Sequence, residues 1–523
     1  MGMLGSAVVT AGSMVYLAKR KRPNIVWIFS DDHAYQAIGA YGGRLQGLNP
    51  TPNIDRLARS GMRFDRFYVG NSICAPSRAT LLTGKHSHLH GKQTNDGGFD
   101  HNQQTFPKIM QQSGYQTAMV GKIHLRGDQQ GFDYWDVLPG QGSYYQPDFV
   151  GKDGTKRVDG YVSDVITDRS LKWLDEDRDA SKPFMLMIHH KAPHRSWCPA
   201  IRHLEKYDDV EIPYPETLFD DYASRTTAAH QQDMTIENTM YRNDLKIKSH
   251  AERDEMFEKM KNSDYEPWGE RGAYYRMTAE QREAWDNHYD PRNQEFLDAE
   301  LTGEALVKWK YQRYLKDYLR CIYGVDENIG RVMDYLAENE LTDNTIIMYS
   351  SDQGFFLGEH GWFDKRFMYK ESFRTPFIVS WPGVIEPGSV NTDLCQNIDW
   401  AETFLDLARA PIPEDMQGES LLPLFKGQHP TSWRNALYYH YYEYPSVHDV
   451  RRHEGVVDKR FKLIRFYGPD VPDGEEWELF DLDLDPNEMT NIYNDPIQSH
   501  RITRMKQELQ RLREYYNVPP DSI

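Results

Sequence analysis

Two groups of oxygen-bearing side chains stand just after apolar runs: Asp31 and Asp32 follow NIVWIFS (24–30), and Asp352 and Gln353 follow TIIMYS (345–350). Three carboxylates and an amide oxygen, with no thiolate or imidazole among them, suit Ca2+ or Mg2+ better than Zn2+. Either group alone would serve as turn residues or helix caps. Together they favour a metal centre. In CAPSRATLLTG (74–84), Pro76 suits a first helical turn and Gly84 a helix end. Cys74 therefore falls at a helix N-terminus, where unpaired N–H groups favour anionic oxygen or sulfur; an isolated Cys is otherwise most often a small buried hydrophobe. His86, His88 and His90 cluster in KHSHLHG, but no thiolate or further His group completes a zinc site. Loop packing is expected for at least two of them.

These residues need a frame. NIVWIFS, FMLMI (184–188), TIIMYS and PFIVSW (376–381) are continuous rather than alternating apolar runs, the pattern of strands buried on both faces of a parallel sheet. Helical segments lie between them, from Thr51-Pro52 to Gly61, from Thr105 to Gly114, from Val162 to Glu176 and around Trp309 to Glu338. The fold class is α/β, a mostly parallel central sheet sandwiched by helices, and both acidic groups sit at carboxyl ends of strands, where such sheets bind ligands. A catalytic unit is expected over 23–400, with the charged, Tyr-rich stretch 201–307 as a helical and loop insertion that shapes access. A smaller α+β subdomain is expected over 401–523, from a helix at Ala401 to Arg409 through β segments at Leu437 to Glu443 and Phe461 to Phe466 to a helix near Ile502 to Tyr516.

Composition narrows the partners. Of 523 residues, 79 are acidic and 61 basic, a formal charge of −18. Such a surface repels nucleic acid and anionic membranes, so neither nucleic-acid binding nor stable membrane association is expected. An anionic substrate must meet a local basic cluster, which can act because screening limits electrostatic reach to about 8 Å. Four cysteines in so long a chain do not make a disulfide scaffold. Residues 1–22 hold an apolar run shorter than the roughly 20 residues of a spanning helix, followed by Lys19-Arg-Lys-Arg22, which fits an export signal or an anchor remnant. The single Asn-x-Ser/Thr triplet, Asn49-Pro50-Thr51, is disqualified as a glycosylation acceptor by its proline. The expectation is an exported bacterial protein, periplasmic or secreted.

The run C-x-P-S-R-x-x-x-L-T-G from Cys74 to Gly84 resembles the signature of type I, formylglycine-dependent sulfatases of the alkaline-phosphatase superfamily. The resemblance implies that a maturation enzyme converts Cys74 to formylglycine, whose hydrate has two hydroxyls on one carbon: one attacks sulfur and expels the alcohol, and the other then loses its proton and ejects sulfate. It implies Asp31, Asp32, Asp352, Gln353 and the oxygen at position 74 as ligands of Ca2+, with Gln353 where many relatives carry His or Asn. Gly121-Lys122-Ile123-His124 is similar to the family's G-K-x-H, so Lys122 would bind sulfate and His124 handle the formylglycine proton; in a strand this spacing puts both on one face. In HHKAPHRSW, His194 would hold sulfate and protonate the leaving alcohol, while His189 and His190 are structural. Lys365 would be the second sulfate-binding lysine with Arg366 exposed beside it, Arg78 would stabilise the ionised formylglycine oxygen, and Lys370 departs from the family's usual Glu without an assigned part.

For the alcohol half, KAPHRSW and YYHYYEYPSVHDVRRHEG resemble exported bacterial sulfatases that remove 6-O-sulfate from N-acetylglucosamine in glycosaminoglycan or mucin chains. His440, Glu443, His448, Arg452 and His453 are either a sugar-reading set or a buried aromatic strand and a solvated turn; sequence leaves both open. A phosphonate or phosphodiester hydrolase of the same superfamily, or a glycan-binding protein with unmatured Cys74, is the alternative.

Overall fold

The computed structural model describes residues 21–248, 252, 255 and 270–520. Most of the 1–22 segment lies outside them. Ten strands form the central sheet: β1 (Asn24–Ser30), β2 (Met62–Phe64), β3 (Gln116–Lys122), β4 (Tyr134–Leu138), β5 (Asp148–Gly151), β6 (Gly154–Arg157), β7 (Phe184–His189), β8 (Thr345–Ser351), β9 (Phe377–Ser380) and β10 (Ser389–Asn391), in the order β10-β2-β9-β8-β1-β7-β3-β4-β5-β6. The inner strands β8, β1, β7, β3 and β4 are parallel. The run PFIVSW forms β9, which is antiparallel to both of its neighbours.

The continuous apolar run of β1 reflects burial on both sides. Ile25, Trp27 and Phe29 enter one core with α2 (Cys74–Thr83), α3 (Phe106–Gln112) and α7 (Asp399–Ala408), and Val26 and Ile28 enter the other with α1 (Pro52–Arg59), α4 (Val162–Lys172) and α6 (Gly303–Glu338). Between α4 and α6 in sequence lies α5 (Ala279–Ala299), which Thr278 opens with a capping box to Gln281. The expected insertion boundary at 307 falls inside α6, and the expected boundary at 400 falls inside α7. Trp400 and Phe404 pack α7 against the central sheet, so this helix belongs to the larger unit and not to the C-terminal one.

A second sheet, wholly antiparallel, comprises β11 (Ala436–Tyr441), β12 (His453–Asp458), β13 (Phe461–Tyr467) and β14 (Glu475–Asp481) in that order. Helix α8 (Ser499–Tyr515) covers one face through Met505, Leu509 and Leu512. The other face, with Leu437, Tyr439, Ile464 and Phe466, packs on Trp362, Phe367 and Met368, the segment that carries Lys365.

Candidate active site

The register that pairs Ser30 with Ser351 sets Asp31 and Asp352 side by side at the carboxyl ends of adjacent strands. Asp32 turns back with φ of 67°, and its N–H donates to Asp352 Oδ1 at 3.0 Å. Tyr318 of α6 fixes that turn, donating to the Asp32 carbonyl at 2.6 Å and accepting from Ala34 N–H at 2.8 Å. Cys74 is the first residue of α2 and fully buried. Gly84 ends the helix in the left-handed region at φ 64°, as the spacing predicts.

One turn into α2, buried Arg78 donates Nε and Nη2 to Asp352 Oδ2 at 3.1 and 2.9 Å and Nη1 to the Lys122 carbonyl at 2.5 Å. It also pairs with Asp31 at 3.3 Å and stands over the Phe29 ring. Lys122 donates to Asp31 and to Gln141 Oε1. Lys365 donates to Asp32 Oδ1 at 2.5 Å and to Cys74 Sγ at 3.2 Å, and Gln353 Nε2 donates to Asp32. His194 brings Nε2 to 3.8 Å from Asp32 Oδ2, its Nδ1–H directed to the Arg195 carbonyl at 2.7 Å. Strand β3 ends at Lys122, and His124 has φ of 58°. A turn, and not strand alternation as expected, therefore brings the Lys122/His124 pair together.

The charges are interdependent. Burial raises all three carboxyls, but the charges of Lys122 and Arg78 hold Asp31 well below the usual range. Asp32 rises to about 6 despite Lys365, and Asp352 to about 8, burial being reinforced by Asp31. Burial also pushes the Cys74 thiol well up against the pull of Lys365, so the unmodified side chain is a poor thiolate nucleophile. Burial, with Lys122 adding to it, keeps both His124 and His194 neutral at pH 7. Ligand atoms of Asp31, Asp32 and Asp352 lie within 4.8 Å of one another, and so do those of Asp31, Cys74 and His194. Asp32 Oδ2 and Gln353 Oε1 are buried without a hydrogen-bond donor, and Asp31 Oδ1 has only its ion pair to Arg78. Such orphaned anionic and amide oxygens fit a hard divalent cation.

Several expectations change. Arg366 is buried, not exposed: it reaches Asp364 at 3.2 Å and both the Tyr441 hydroxyl and Glu443 at 3.3 Å, partners that compensate its desolvation. Lys370 bonds the Pro486 carbonyl at 2.6 Å and Asn487 at 3.3 Å. Of the sugar-reading candidates, His440, Glu443 and Arg452 line one cleft; His448 pairs with Asp364 at 3.1 Å, and His453 is enclosed, its ring accepting from Met368 N–H at 3.1 Å. His189 and His190 are structural, with His189 on the Lys122 carbonyl at 3.0 Å and His190 N–H on Phe29 at 2.7 Å. The tract after α2 is packing: His88 bonds the Tyr516 carbonyl at 2.8 Å, His90 bonds Thr80 at 3.1 Å, and His86 packs against Tyr438 and Tyr516. Sequence reasoning missed Gln141 and Asp364. The only signal for Gln141 is its bracketing by Gly140 and Gly142, both at positive φ.

Comparison with known proteins decides among the hydrolases. The sulfatase family matches residues 23–410, and the family described as N-sulphoglucosamine sulphohydrolase, C-terminal, matches 358–515. The chain belongs to the sulfatase family. It is a sulfuric ester hydrolase. It is 48% identical to an N-acetylglucosamine-6-O-sulfatase of Bacteroides thetaiotaomicron, covering 95% of this chain and 87% of that one. It is 27% identical to the human N-acetylglucosamine-6-sulfatase over 84% of this chain and 70% of that one. A solved structure of a protein with its substrate D-glucosamine-2-N,6-O-disulfate superposes with a TM-score of 0.90 at 46% identity, covering 96% and 100% of the two chains. A phosphonate monoester hydrolase from Silicibacter pomeroyi superposes at 0.67 with 20% identity, over 94% and 95% of the two chains, and shares the fold alone. Among the described residues no helix is long and apolar enough to cross a membrane.

Proposed function

We propose that this sulfatase removes 6-O-sulfate from N-acetylglucosamine or a related glucosamine in sulfated glycans outside the cytoplasm. The observation that carries the proposal is the convergence of orphaned acidic oxygens and two lysines on the buried start of α2, taken with the relatives' activity on 6-sulfated glucosamines. Asp31, Asp32, Asp352 and Gln353, with the oxygen of a matured residue 74, would hold Ca2+, which supplies positive charge for sulfate oxygens and acidifies a hydroxyl. Formylglycine, made from Cys74 by a maturation enzyme, supplies geminal hydroxyls, one to attack sulfur and one whose deprotonation releases sulfate.

The chain's own residues do the rest. Lys122 and Lys365 turn from the carboxylates to the sulfate oxygens and offset the charge that grows on them in the transition state. His124 takes the hydroxyl proton, for which its buried Nδ1 without a partner is available. His194, anchored through Nδ1–H, directs its bare Nε2 toward the leaving oxygen, takes a proton from solvent there once bound sulfate adds negative charge beside it, and passes that proton to the leaving alcohol. Arg78 pins Asp352 and Asp31 so that negative charge stays at the start of α2.

Sulfate release should be measured from glucosamine esters sulfated at the 6, 3 or N position, beside phosphate diesters and phosphonates. The proposal expects release from 6-sulfates and a mass at residue 74 matching formylglycine. An intact thiol in fully active protein, or a preference for phosphorus esters, would overturn it. Sugar affinity without release, on an intact thiol, would instead make the chain a binding protein.

A further inference from the structure

Next to the site opens a cavity of about 430 Å3. It shares His124 and Gln141 with the site, and its wall includes Asn95, whose Oδ1 accepts from Ala75 N–H at 3.0 Å, one residue from Cys74. The cavity is lined by cations that fall into two kinds. Arg195 and Arg276 are each bound to an acid at 2.7 Å, Asp244 and Asp148 respectively. Lys191 and Arg126 have no such partner among the described residues. Lys191 is only 4% exposed, and its ammonium lies 4.8 Å from the centroid of the Tyr144 ring with no hydrogen bond or ion pair. The guanidinium of Arg126 is solvent-facing and equally without an acid.

An ammonium enclosed without a counter-charge is unfavourable. Burial, with Lys122 adding to it, pulls Lys191 down to about 8. An oxyanion entering the cavity would reverse that penalty and gain charge-assisted hydrogen bonds. Tyr144, under the ammonium, donates to the His194 carbonyl at 2.5 Å, so the cavity floor is continuous with the support of a site histidine.

Resting on the glycan reading above, we infer that this cavity is a second anion subsite: Lys191 and Arg126 bind a further sulfo or carboxylate group on the same glycan whose 6-sulfate is being cleaved. The shared chemistry is a tetrahedral or planar oxyanion offset from the ester. Its source is either an N-sulfo group on the same sugar or the carboxylate of a neighbouring uronate.

The test compares kcat and KM of wild type, Lys191→Met and Arg126→Gln on three 6-sulfated substrates. One is N-acetylglucosamine 6-sulfate, with no second anion; one is N-sulfoglucosamine 6-sulfate; one is a disaccharide with an adjacent uronate. The expected result is a wild-type preference of about tenfold in kcat/KM for one doubly anionic substrate, carried by KM and lost in both variants. Which substrate is preferred identifies the source. Equal wild-type efficiency on all three overturns the subsite, as does an equal loss across all three in both variants. Arg126→Gln, at an exposed position, separates a binding effect from misfolding, and melting curves do so for Lys191→Met. Wild type inactive on all three but active on another sulfate ester would overturn the glucosamine reading itself, and the subsite with it.

Discussion

The central sheet and the C-terminal sheet reach the same site by different means. Parallel β1 and β8 carry Asp31 and Asp352 on the ends of strands whose register is fixed along seven pairs, so backbone hydrogen bonds set the acids. The antiparallel sheet places no acid beside Cys74. It grips the loop that bears Lys365: Lys462 donates to the Met368 carbonyl at 2.7 Å, Met368 N–H donates to His453 at 3.1 Å, and the Tyr369 hydroxyl donates to Glu478 at 2.7 Å. One half of the charge arrangement thus belongs to a continuous core and the other to an interface. Disturbing the acids of the first should change chemistry and metal binding together, whereas disturbing the grip of the second should change chemistry and leave metal binding in place.

The largest effect belongs to Cys74→Ala. It removes the residue to be matured, and turnover should fall at least about a thousandfold while the circular-dichroism spectrum is retained. Sulfate release above that level would remove residue 74 from the reaction. Lys365→Ala should rank second, with a loss of about a hundredfold in kcat, since a charge facing the transition state is lost from a buried position. Kinetics close to wild type would mean that the interface carries no catalytic charge.

Chelation discriminates the two halves most directly. Three buried carboxylates, two of them with an oxygen that lacks a hydrogen-bond donor, repel one another beyond what Lys122, Arg78 and Lys365 offset. A chelator should therefore lower both activity and the melting temperature, and added Ca2+ should restore both, because ligand binding stabilises the folded form by mass action. Lys462→Met should instead lower kcat about tenfold with little change in the Ca2+ needed for half-maximal activity, since it loosens the Lys365 loop and not the acids, while loss of its ion pair to buried Glu488 at 2.5 Å lowers the melting temperature. A coupled loss of Ca2+ affinity would show that the sheets do not act separately.

The acids, Cys74 and the inner strands were legible because each depends on local pattern: an apolar run, a strand end, a helix start. β12 was not, because HEGVVD mixes charges with apolar residues, and its His453 and Glu454 are buried among partners distant in sequence. Arg366 looked exposed for the same reason, as its compensating acids and Tyr441 come from 364 and from 441–443. Lys191 could not be distinguished from its neighbours until the structure showed which cations already had acids. Residues satisfied by nearby sequence are readable in it; residues satisfied, or left unsatisfied, across the fold are not.

The smallest effect on catalysis and a large one on stability should come from Asp326→Ala, at a buried position of α6. Asp326 of α6 accepts from the N–H groups of Asn53 at 3.0 Å and Ile54 at 2.8 Å and so caps α1, whose first turn leaves these donors without intrahelical acceptors. Removing the carboxylate strands them, at a cost of about 2–4 kcal/mol, with kcat/KM within about twofold of wild type. Burial lifts the Asp326 carboxyl to about 6. A folded-state value raised above the unfolded one gives stability that is complete below about pH 3.9 and lost as pH rises through 6. The melting-temperature gap between wild type and the variant should accordingly be wider at pH 5 than at pH 7.5. A gap that widens with pH would mean that the carboxylate, not the acid, is the form the α1 cap prefers.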